Sequence, residues 1–245
     1  MGPILVTGAS GKTGSKVVAG LLKRKAKVCA LICRIEATDK MNQLGAAETV
    51  LGDFFDDDSL RAAIEGSSCV IHICPPMNPD ETGIPRRMTD HCLAAGTERL
   101  ILYSVLHPLI KDVPHHEKKL ETERYLINSG QSHKILQPSR YVQHLIPIWN
   151  QVMATGIDAM PFSVETKFSI VDLNDLAEAT SIVATNDRHG GASYQLAGPE
   201  QLNQTEMVHI LSKLTGVDTR GEAKPLEDFR KEAEASDMPA ARIET

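Results

Sequence analysis

Short apolar runs alternate with helix-like segments from the beginning of the chain, and this alternation constrains the fold more than any other feature. Six runs rich in aliphatic and β-branched residues cover residues 3–7, 27–33, 48–51, 69–74, 99–104 and 134–137. Their apolar character is continuous rather than alternating, which is typical of strands covered on both faces. The alternation predicts βαβ units and an α/β fold with a parallel, doubly wound sheet.

Two of the intervening segments carry clear helix signals. Residues 14–25 form an apolar stripe at helical spacing and end in basic residues, which the negative end of a helix dipole favours. Residues 56–66 begin with acidic residues and end at Gly66, as helix termini prefer.

The pattern is less regular beyond about residue 140. The predicted elements there are strands over residues 168–172 and 192–198, and helices from about Asn174 to Thr185, over residues 203–216 and after Pro225. We expect one domain over residues 1–245, in which residues of about 140–165 and 195–245 form a small C-terminal substrate lobe.

The composition limits the partners of the chain. A formal net charge of −6 over 245 residues gives no electrostatic reason to expect nucleic acid or an anionic membrane. No cationic, apolar leader opens the sequence, and no apolar run approaches the roughly 20 residues of a membrane span. We therefore expect a cytoplasmic protein that acts on a small molecule, and the sequence is compatible with a homo-oligomer. Cysteines without CxxC spacing are expected to be reduced core thiols: Cys29, Cys33, Cys69, Cys74 and Cys92.

A glycine-rich loop joins the first strand to the first helix. The stretch TGASGKTG places Gly8, Gly11 and Gly14 three residues apart at this junction. Glycines permit a tight turn and let backbone N–H groups approach a pyrophosphate at a helix start. The spacing is neither GxGxxG nor a Walker loop, but its strand–loop–helix context favours dinucleotide binding over a purely structural turn.

The end of the second strand discriminates between NAD and NADP. An acidic residue there would bind the ribose 2′-OH of NAD, but the chain has Arg34, 20 residues after Gly14. A guanidinium suits a 2′-phosphate, and Lys12 in the loop could add a second positive charge. NADP(H) is therefore favoured over NAD(H). The alternative is that Arg34 is only a solvated residue at a strand end.

Several stretches together resemble the atypical short-chain dehydrogenases of the NmrA-like group. They are VTGASGKTG, GDFFDDDSLRAAIEGSSCVIHICPP, INSGQSHKILQPSRYVQH and FSIVDLNDLAEA with YQLAGPEQLN, which cover most of the chain to about residue 216. The resemblance implies a Rossmann fold with strands added after the sixth, and a substrate cleft between the sheet edge and the C-terminal lobe. That family includes triphenylmethane reductases, quinone oxidoreductases, isoflavone-reductase-like enzymes and NADP-sensing regulators.

The cofactor contacts expected from these patterns follow the ends of successive strands. Asp53, after the third strand, could accept from an adenine amino group, and residues 74–76 end the fourth strand on the carboxyl edge where ligands bind. The full set predicted to bind the cofactor is Gly8, Ser10, Gly11, Lys12, Thr13, Gly14, Arg34, Asp53, Phe54, Cys74, Pro75, Pro76, Lys119 and Pro138.

The resemblance also implies the positions of the catalytic groups. Short-chain dehydrogenases usually carry Tyr-xxx-Lys on a helix and a Ser after the preceding strand; the Lys binds the nicotinamide ribose and the Tyr exchanges the proton. At the matching positions this chain has Lys119 and Ser104, but His115 in place of the Tyr. Tyr141, after the sixth strand, could line the substrate pocket.

The histidine changes the expected chemistry. His115, Lys119 and Glu123 follow at i, i+4 spacing and form one polar stripe on a helix. An imidazole exchanges a proton near neutral pH, but a neighbouring Lys⁺ would tend to keep His115 neutral and a poor acid. A helix-start histidine and a solvated lysine remain the alternatives. His116 projects away from His115, and no Cys or His partner lies at helical spacing, so no metal site is predicted.

Two classes of function remain open. The first is an NADPH-dependent oxidoreductase that transfers hydride to a small conjugated or aromatic acceptor, such as a quinone, imine, dye or enone, which does not need a strong general acid. The alternative is a non-catalytic NADP(H)-sensing regulatory protein that acts through a protein partner, which the missing tyrosine favours. A nucleotide-sugar epimerase would need that tyrosine as its base.

Overall fold

The structure is a computed structural model that describes residues 2–75 and 78–236. Its strands are β1 Ile4–Val6, β2 Val28–Ile32, β3 Glu48–Leu51, β4 Cys69–His72, β5 Arg99–Tyr103, β6 His133–Pro138, β7 Arg140–Tyr141, β8 Ile157–Met160, β9 Phe168–Val171, β10 Ser193–Leu196, β11 Gln201–Leu202 and β12 Arg220–Ala223. Its α-helices are α1 Lys12–Lys23, α2 Thr38–Leu44, α3 Asp57–Ile64, α4 Gly83–Ala94, α5 Pro114–Asn128, α6 Trp149–Thr155, α7 Leu173–Ala184, α8 Gln204–Thr215 and α9 Leu226–Ala235.

Seven parallel strands form the main sheet, in the order β10-β6-β5-β4-β1-β2-β3. β1 pairs with both β2 and β4, so the winding of the chain reverses at β1. In such sheets ligands bind beyond the carboxyl ends of the strands at this reversal. The predicted α/β, doubly wound parallel sheet is therefore confirmed.

The described residues divide into two compact units. The first contains the residues up to Pro138 together with Leu173–Leu196, and it holds the main sheet. The second contains Ser139–Asp172 and the described residues from Ala197 onward. The assignment of a substrate lobe to about 140–165 and 195–245 stays a prediction, and residues 237–245 lie outside the described part.

The apolar runs build the core of the first unit. Every residue of β1, β2, β4 and β5 is buried, as expected for strands covered on both faces. The expectation of burial on both faces is wrong for β3, because this strand lies at the edge of the sheet and its two end residues are exposed. The separate expectation of a core thiol is wrong for Cys33, which is exposed because β2 ends one residue earlier. The buried free thiols are Cys29, Cys69, Cys74 and Cys92.

Helix α7 packs closely against α1 in the first unit. A Cβ atom at Gly20 of α1 would lie 2.9 Å from Ser181 Oγ and 3.0 Å from the carbonyl oxygen of Ala177. The absence of a side chain at this position therefore permits the close approach of the two helices.

Two basic side chains of the sheet bind the C-terminal end of α7. Lys134 is 1% exposed, and its Nζ donates to the carbonyl oxygens of Val183 at 2.7 Å and Asn186 at 2.6 Å. Arg99 donates to the carbonyl oxygen of Ala184 at 2.9 Å. Burial, together with the charge of Arg99, lowers the pKa of Lys134. These cations satisfy carbonyl groups that a helix end leaves without intrahelical partners.

A buried histidine joins β4 to β1. His72 Nδ1 lies 3.0 Å from Thr7 Oγ1, which also accepts from the backbone N–H of Ile73 at 3.0 Å. Burial, together with the charge of Lys119, lowers the pKa of His72 to about 3. The imidazole of His72 is therefore neutral at neutral pH.

The described residues of the second unit form two small sheets and three α-helices, α6, α8 and α9. The sheets have the strand orders β11-β9-β7 and β12-β8. Helix α8 begins at a capping box between Asn203 and Glu206, whose side chains each accept from the backbone N–H of the other. The strand predicted over residues 168–172 is present as β9, but it belongs to this unit and not to the main sheet. In the part of the chain that the structure describes, no helix has the length and apolar character to cross a bilayer.

Replacing Lys134 by Met should destabilise the protein by about 2 to 4 kcal/mol, because one buried and one partly buried carbonyl group at the end of α7 lose their donor. Urea unfolding followed by circular dichroism measures the free energy of unfolding. Lys16→Met, an exposed lysine on α1, is the control and should change it by less than about 0.5 kcal/mol. Equal effects of the two substitutions would contradict this role for Lys134.

Stability should also fall as the pH is lowered from 6.5 towards 3, in part because of His72. In this window the unfolded chain binds a proton on the imidazole and the folded protein does not. Each pH unit then lowers the free energy of unfolding by up to about 1.4 kcal/mol. His72→Gln lacks this titration, and the acidic residues common to both proteins cancel in the difference. Unfolding at about pH 6.5, 5.5 and 4.5 should show a shallower pH dependence for the variant; parallel curves would exclude a buried neutral His72.

Candidate active site

The predicted site residues of the first unit lie at the carboxyl edge of the main sheet. Because the strands are parallel, the segments that follow β1 to β5 all leave the sheet at this edge. The residues that the structure brings there are the glycine loop after β1, Arg34 after β2, Asp53 and Phe54 after β3, Cys74 and Pro75 after β4, Ser104 after β5 and Pro138 at the end of β6. Pro76 lies outside the described residues. The roles of these residues stay predictions.

The backbone of the loop requires two of its glycines. Gly8 has φ +60°, and a Cβ atom there would lie 3.0 Å from the carbonyl oxygen of Ile73. A Cβ atom at Gly14 would lie 2.1 Å from the carbonyl oxygen of Gly8. Helix α1 therefore begins directly against the turn. Gly11 caps it without a side-chain hydrogen bond, and its first turn carries no acidic residue. The first N–H groups of α1 thus remain available to an anion.

Basic residues follow the ends of β1 and β2. Lys12, at the start of α1, and Arg34, after β2, are both exposed, whereas Ser10 and Thr13 near Lys12 are half-buried. Lys40, on α2, donates from Nζ to the carbonyl oxygen of Ser10 at 2.8 Å. Lys40 was not predicted from the sequence, because its position depends on the 3₁₀ turn between β2 and α2. Its only signal was a third basic residue shortly after Arg34.

The residues after β3 also serve the structure of the protein itself. One carboxylate oxygen of Asp53 accepts from the backbone N–H of Phe55 at 3.0 Å. The ring of Phe54 packs against the core and meets the ring of His72 edge-on, with 5.6 Å between centroids. Packing accounts for Phe54, and a contact of either residue with adenine stays a prediction.

Two buried groups at strand ends differ in their chemistry. Ser104 Oγ is buried and has no hydrogen-bond partner among the described residues. Buried hydroxyl groups are rarely left unpaired, so Ser104 has a donor that remains available to a ligand. Burial raises the pKa of the Cys74 thiol to about 11. Cys74 is therefore a neutral thiol and not a nucleophile.

Helix α5 carries the two remaining catalytic candidates. It begins with Pro114 in its first position, where the missing N–H of proline costs no hydrogen bond. His115 and Lys119 lie one turn apart, and their side chains are 15% and 7% exposed. Lys119 is therefore a buried cation and not a solvated helix lysine.

A buried carboxylate that the sequence analysis missed joins these two side chains. Glu81 Oε2 lies 2.9 Å from His115 Nδ1, and Glu81 Oε1 lies 3.0 Å from Lys119 Nζ. Glu81 is only 1% exposed. Lys119 is therefore not the only charged group beside His115, because a carboxylate contacts both side chains.

Opposing effects act on the pKa of Glu81. Burial raises it, but the hydrogen bond from His115 and the charge of Lys119 together outweigh burial, so the pKa lies below its ordinary value. Glu81 is therefore ionised at neutral pH. The only sequence signal was the pair of acidic residues before α4. Asp80 forms an ion pair with Arg87, and Glu81 contacts α5 instead.

His72 and Thr7 form a neutral pair close to Lys119, whose charge acts on the pKa of His72. Thr7 Oγ1 accepts from a backbone N–H, so its single proton is free to be donated to His72 Nδ1. When Thr7 donates to Nδ1, the imidazole proton of His72 is on Nε2. That nitrogen has no hydrogen-bond partner among the described residues.

The other polar residues of α5 have partners that hold the fold. His116 donates from Nδ1 to the carbonyl oxygen of His107 at 2.9 Å. Glu123 accepts from Gln137 Nε2 at 2.9 and 3.0 Å, one bond to each carboxylate oxygen. The predicted polar stripe is therefore divided: His115 and Lys119 bind Glu81, whereas Glu123 binds β6.

Tyr141 lies in the second unit, where its ring stacks on that of His144 with 5.2 Å between centroids. Its contact with a substrate stays a prediction. Within residues 2–75 and 78–236, no group of three or more His, Cys, Asp or Glu side chains could hold a metal ion.

The carboxyl edge of the sheet thus combines three chemical capacities. The glycine loop and its basic neighbours suit an anionic group, as helix starts with nearby cations do. Ser104 offers an unpaired hydroxyl, and His115 has a second ring nitrogen, Nε2, that Glu81 does not use. An imidazole in this setting can exchange a proton with a bound molecule.

Comparison with known proteins supports the same family as the motifs. The chain is 26% identical over 237 residues to an NAD(P)H azoreductase of Xenophilus azovorans, covering 96% of this chain and 82% of that protein. Its fold matches that of a Citrobacter triphenylmethane reductase complexed with NADP(H), with a TM-score of 0.86 at 20% identity over 99% of this chain and 86% of the other. The match to an Escherichia coli NADPH-dependent quinone oxidoreductase has a TM-score of 0.87 at 21% identity over 98% and 85%.

The model of the NmrA-like family matches residues 2–242, nearly the whole chain. The family predicted from the motifs is confirmed: the chain belongs to the NmrA-like family.

Proposed function

We propose that the protein is an NADPH-dependent oxidoreductase that transfers hydride to a small conjugated or aromatic acceptor of the quinone, imine, dye or enone type. The observation that carries the proposal is the buried cluster of Glu81, His115 and Lys119 at the sheet edge that also holds the glycine loop. The names of related proteins, which include an azoreductase and a quinone oxidoreductase, support the same class of reaction.

The residues present fit a dinucleotide. Gly11 caps α1 without a side-chain hydrogen bond, so a pyrophosphate could approach the first N–H groups of the helix. Ser104 Oγ is a buried hydroxyl without a partner, as expected for a group that meets a ligand. When bound, the reduced nicotinamide would supply the hydride.

The protein side chains would have separate tasks in this reaction. Lys119, held by Glu81, would bind the nicotinamide ribose through its ammonium group. Ser104 would donate its hydroxyl proton in a hydrogen bond at the site of hydride transfer. His115 would donate a proton from Nε2 to the heteroatom of the acceptor, because its Nδ1 is already engaged by Glu81.

Three cations near the glycine loop support NADPH over NADH. Arg34 and Lys12 are exposed, and Lys40 is anchored on the carbonyl oxygen of Ser10. A guanidinium binds the charged 2′-phosphate of NADPH through paired hydrogen bonds. The 2′-OH of NADH is neutral and offers no such partner.

Replacing Arg34 by Ala should weaken NADPH binding by about 10- to 100-fold, the cost of a charge-assisted contact, and leave NADH binding nearly unchanged. Isothermal titration calorimetry with both cofactors measures the two dissociation constants. Lys16→Ala, an exposed cation further along α1, is the control. An equal loss for NADH and NADPH would contradict a contact with the 2′-phosphate.

Replacing Lys119 by Met should lower kcat/KM at least about 100-fold, because it removes the proposed ribose contact and leaves Glu81 buried without its cation. NADPH oxidation is followed at saturating acceptor with a panel of quinones, azo dyes, imines and enones. Lys118→Met, the adjacent lysine on α5, should leave the rate unchanged.

The same panel tests the alternative of a cofactor sensor. Tight NADPH binding with negligible oxidation by every acceptor would contradict the oxidoreductase and support the regulatory protein.

His115→Phe should lower kcat most for acceptors that must gain a proton on oxygen or nitrogen. Unchanged kcat in that variant would remove His115 from the mechanism and leave hydride transfer in place.

A further inference from the structure

We propose that Glu81 is a positioning residue whose carboxylate holds His115 in the Nδ1–H form and so makes Nε2 the nitrogen that exchanges protons. The inference deepens the proposed oxidoreductase function and rests on it for its catalytic consequence. The geometry that supports it concerns only residues of the first unit.

The hydrogen bond between Glu81 and His115 has a defined direction. The distance from Glu81 Oε2 to His115 Nδ1 is 2.9 Å, within hydrogen-bond range. An ionised carboxylate accepts hydrogen bonds and cannot donate them, so Nδ1 must carry the proton. Nε2 of the neutral ring is then an acceptor, and it becomes a donor when the ring is protonated.

Glu81 is held in place by its own loop and by α5. The backbone N–H of Glu81 donates to the carbonyl oxygen of Asn78 at 3.1 Å, and Asp80 forms an ion pair with Arg87 on α4. The second carboxylate oxygen of Glu81 lies 3.0 Å from Lys119 Nζ, one turn along α5 from His115. A side chain that is 1% exposed and contacts two residues of one helix has little freedom to release His115.

The charges around Glu81 come from several elements. Lys119 on α5 contributes one positive charge and His115 contributes another when protonated. His72 on β4 is neutral, because burial lowers its pKa to about 3, and the Cys74 thiol is also neutral, because burial raises its pKa to about 11. Asp80 is paired with Arg87. Glu81 is therefore the carboxylate that contacts both Lys119 and His115.

The proton transfer that this arrangement serves is balanced. The acceptor gains a hydride from the reduced cofactor, which leaves oxidised, and a proton from Nε2 of the protonated His115. The Nε2–H bond breaks, and a bond from the acceptor heteroatom to hydrogen forms. His115 returns to its neutral Nδ1–H form, and Glu81 stays ionised throughout, as the carboxylate of a catalytic triad does.

The tautomer of His115 tests the positioning role without turnover. Nitrogen-15 NMR of the full chain, with His115 assigned by its loss in His115→Phe, should show the Nδ1–H form in the wild type at alkaline pH. Glu81→Gln keeps the size of the side chain, but an amide can either accept from Nδ1 or donate to it. The Nδ1–H population should therefore fall clearly in Glu81→Gln. Glu123→Gln is the control: it changes a buried carboxylate that lies on α5 and is bound to Gln137. It should leave the tautomer of His115 as in the wild type.

An Nε2–H tautomer in the wild type, or the same tautomer in the wild type and in Glu81→Gln, would overturn the proposal. A purely structural Glu81 would change the melting temperature but not the tautomer. Thermal unfolding of each variant separates the two readings.

Kinetics measure the catalytic consequence separately. With an acceptor that must gain a proton, kcat of Glu81→Gln should fall about 10- to 100-fold, as for the loss of general acid catalysis. An unchanged kcat in Glu81→Gln would overturn the catalytic consequence of the proposal. If none of the acceptors supports NADPH oxidation by the wild type, the proposed function fails. The NMR result still decides the role of Glu81 in that case.

Discussion

The close contact between Gly14 and the backbone of Gly8 is the constraint on which the rest of the site depends. Because no side chain separates them, α1 begins directly against the turn that follows β1, at the point where the winding of the sheet reverses. The start of that helix is left open toward the carboxyl edge, where Arg34 also lies. Any larger residue at position 14 would have to displace the turn, and the anion-binding geometry would be lost with it.

A second constraint is the cost of burying charge. Lys119 is held in a buried position at the same edge, and a buried ammonium without a partner would be strongly destabilising. Glu81 provides the opposite charge and also binds His115, so one carboxylate sets the electrostatics of both catalytic candidates. Lys134, by contrast, is satisfied by carbonyl groups at the end of α7 and serves the fold. The two buried lysines thus differ in the kind of partner that compensates their charge.

Most of the main sheet was predictable because its signals are local. Apolar runs of four to seven residues correspond to β1 to β6, and the glycine loop marks the first crossover. The edge position of β3 was not predictable from its own residues, since it depends on the absence of a neighbouring strand. In the second unit, β7 and β11 are only two residues long, too short for any periodicity to indicate them. At the site, Arg34, Ser104, His115 and Lys119 were named from motif spacing, whereas Lys40 and Glu81 were missed.

The sequence by itself determined the fold class, the family and the positions of the glycine loop and of His115-xxx-Lys119, because each depends on residues close together in the chain. Only the tertiary structure decided what faces these residues. Glu81 reaches α5 across 34 positions of sequence, and its neighbour Asp80 is taken by Arg87. Two adjacent acidic residues look alike in a sequence. Burial and the pairing of charges distinguish them, and both arise only when separate elements of the chain pack together.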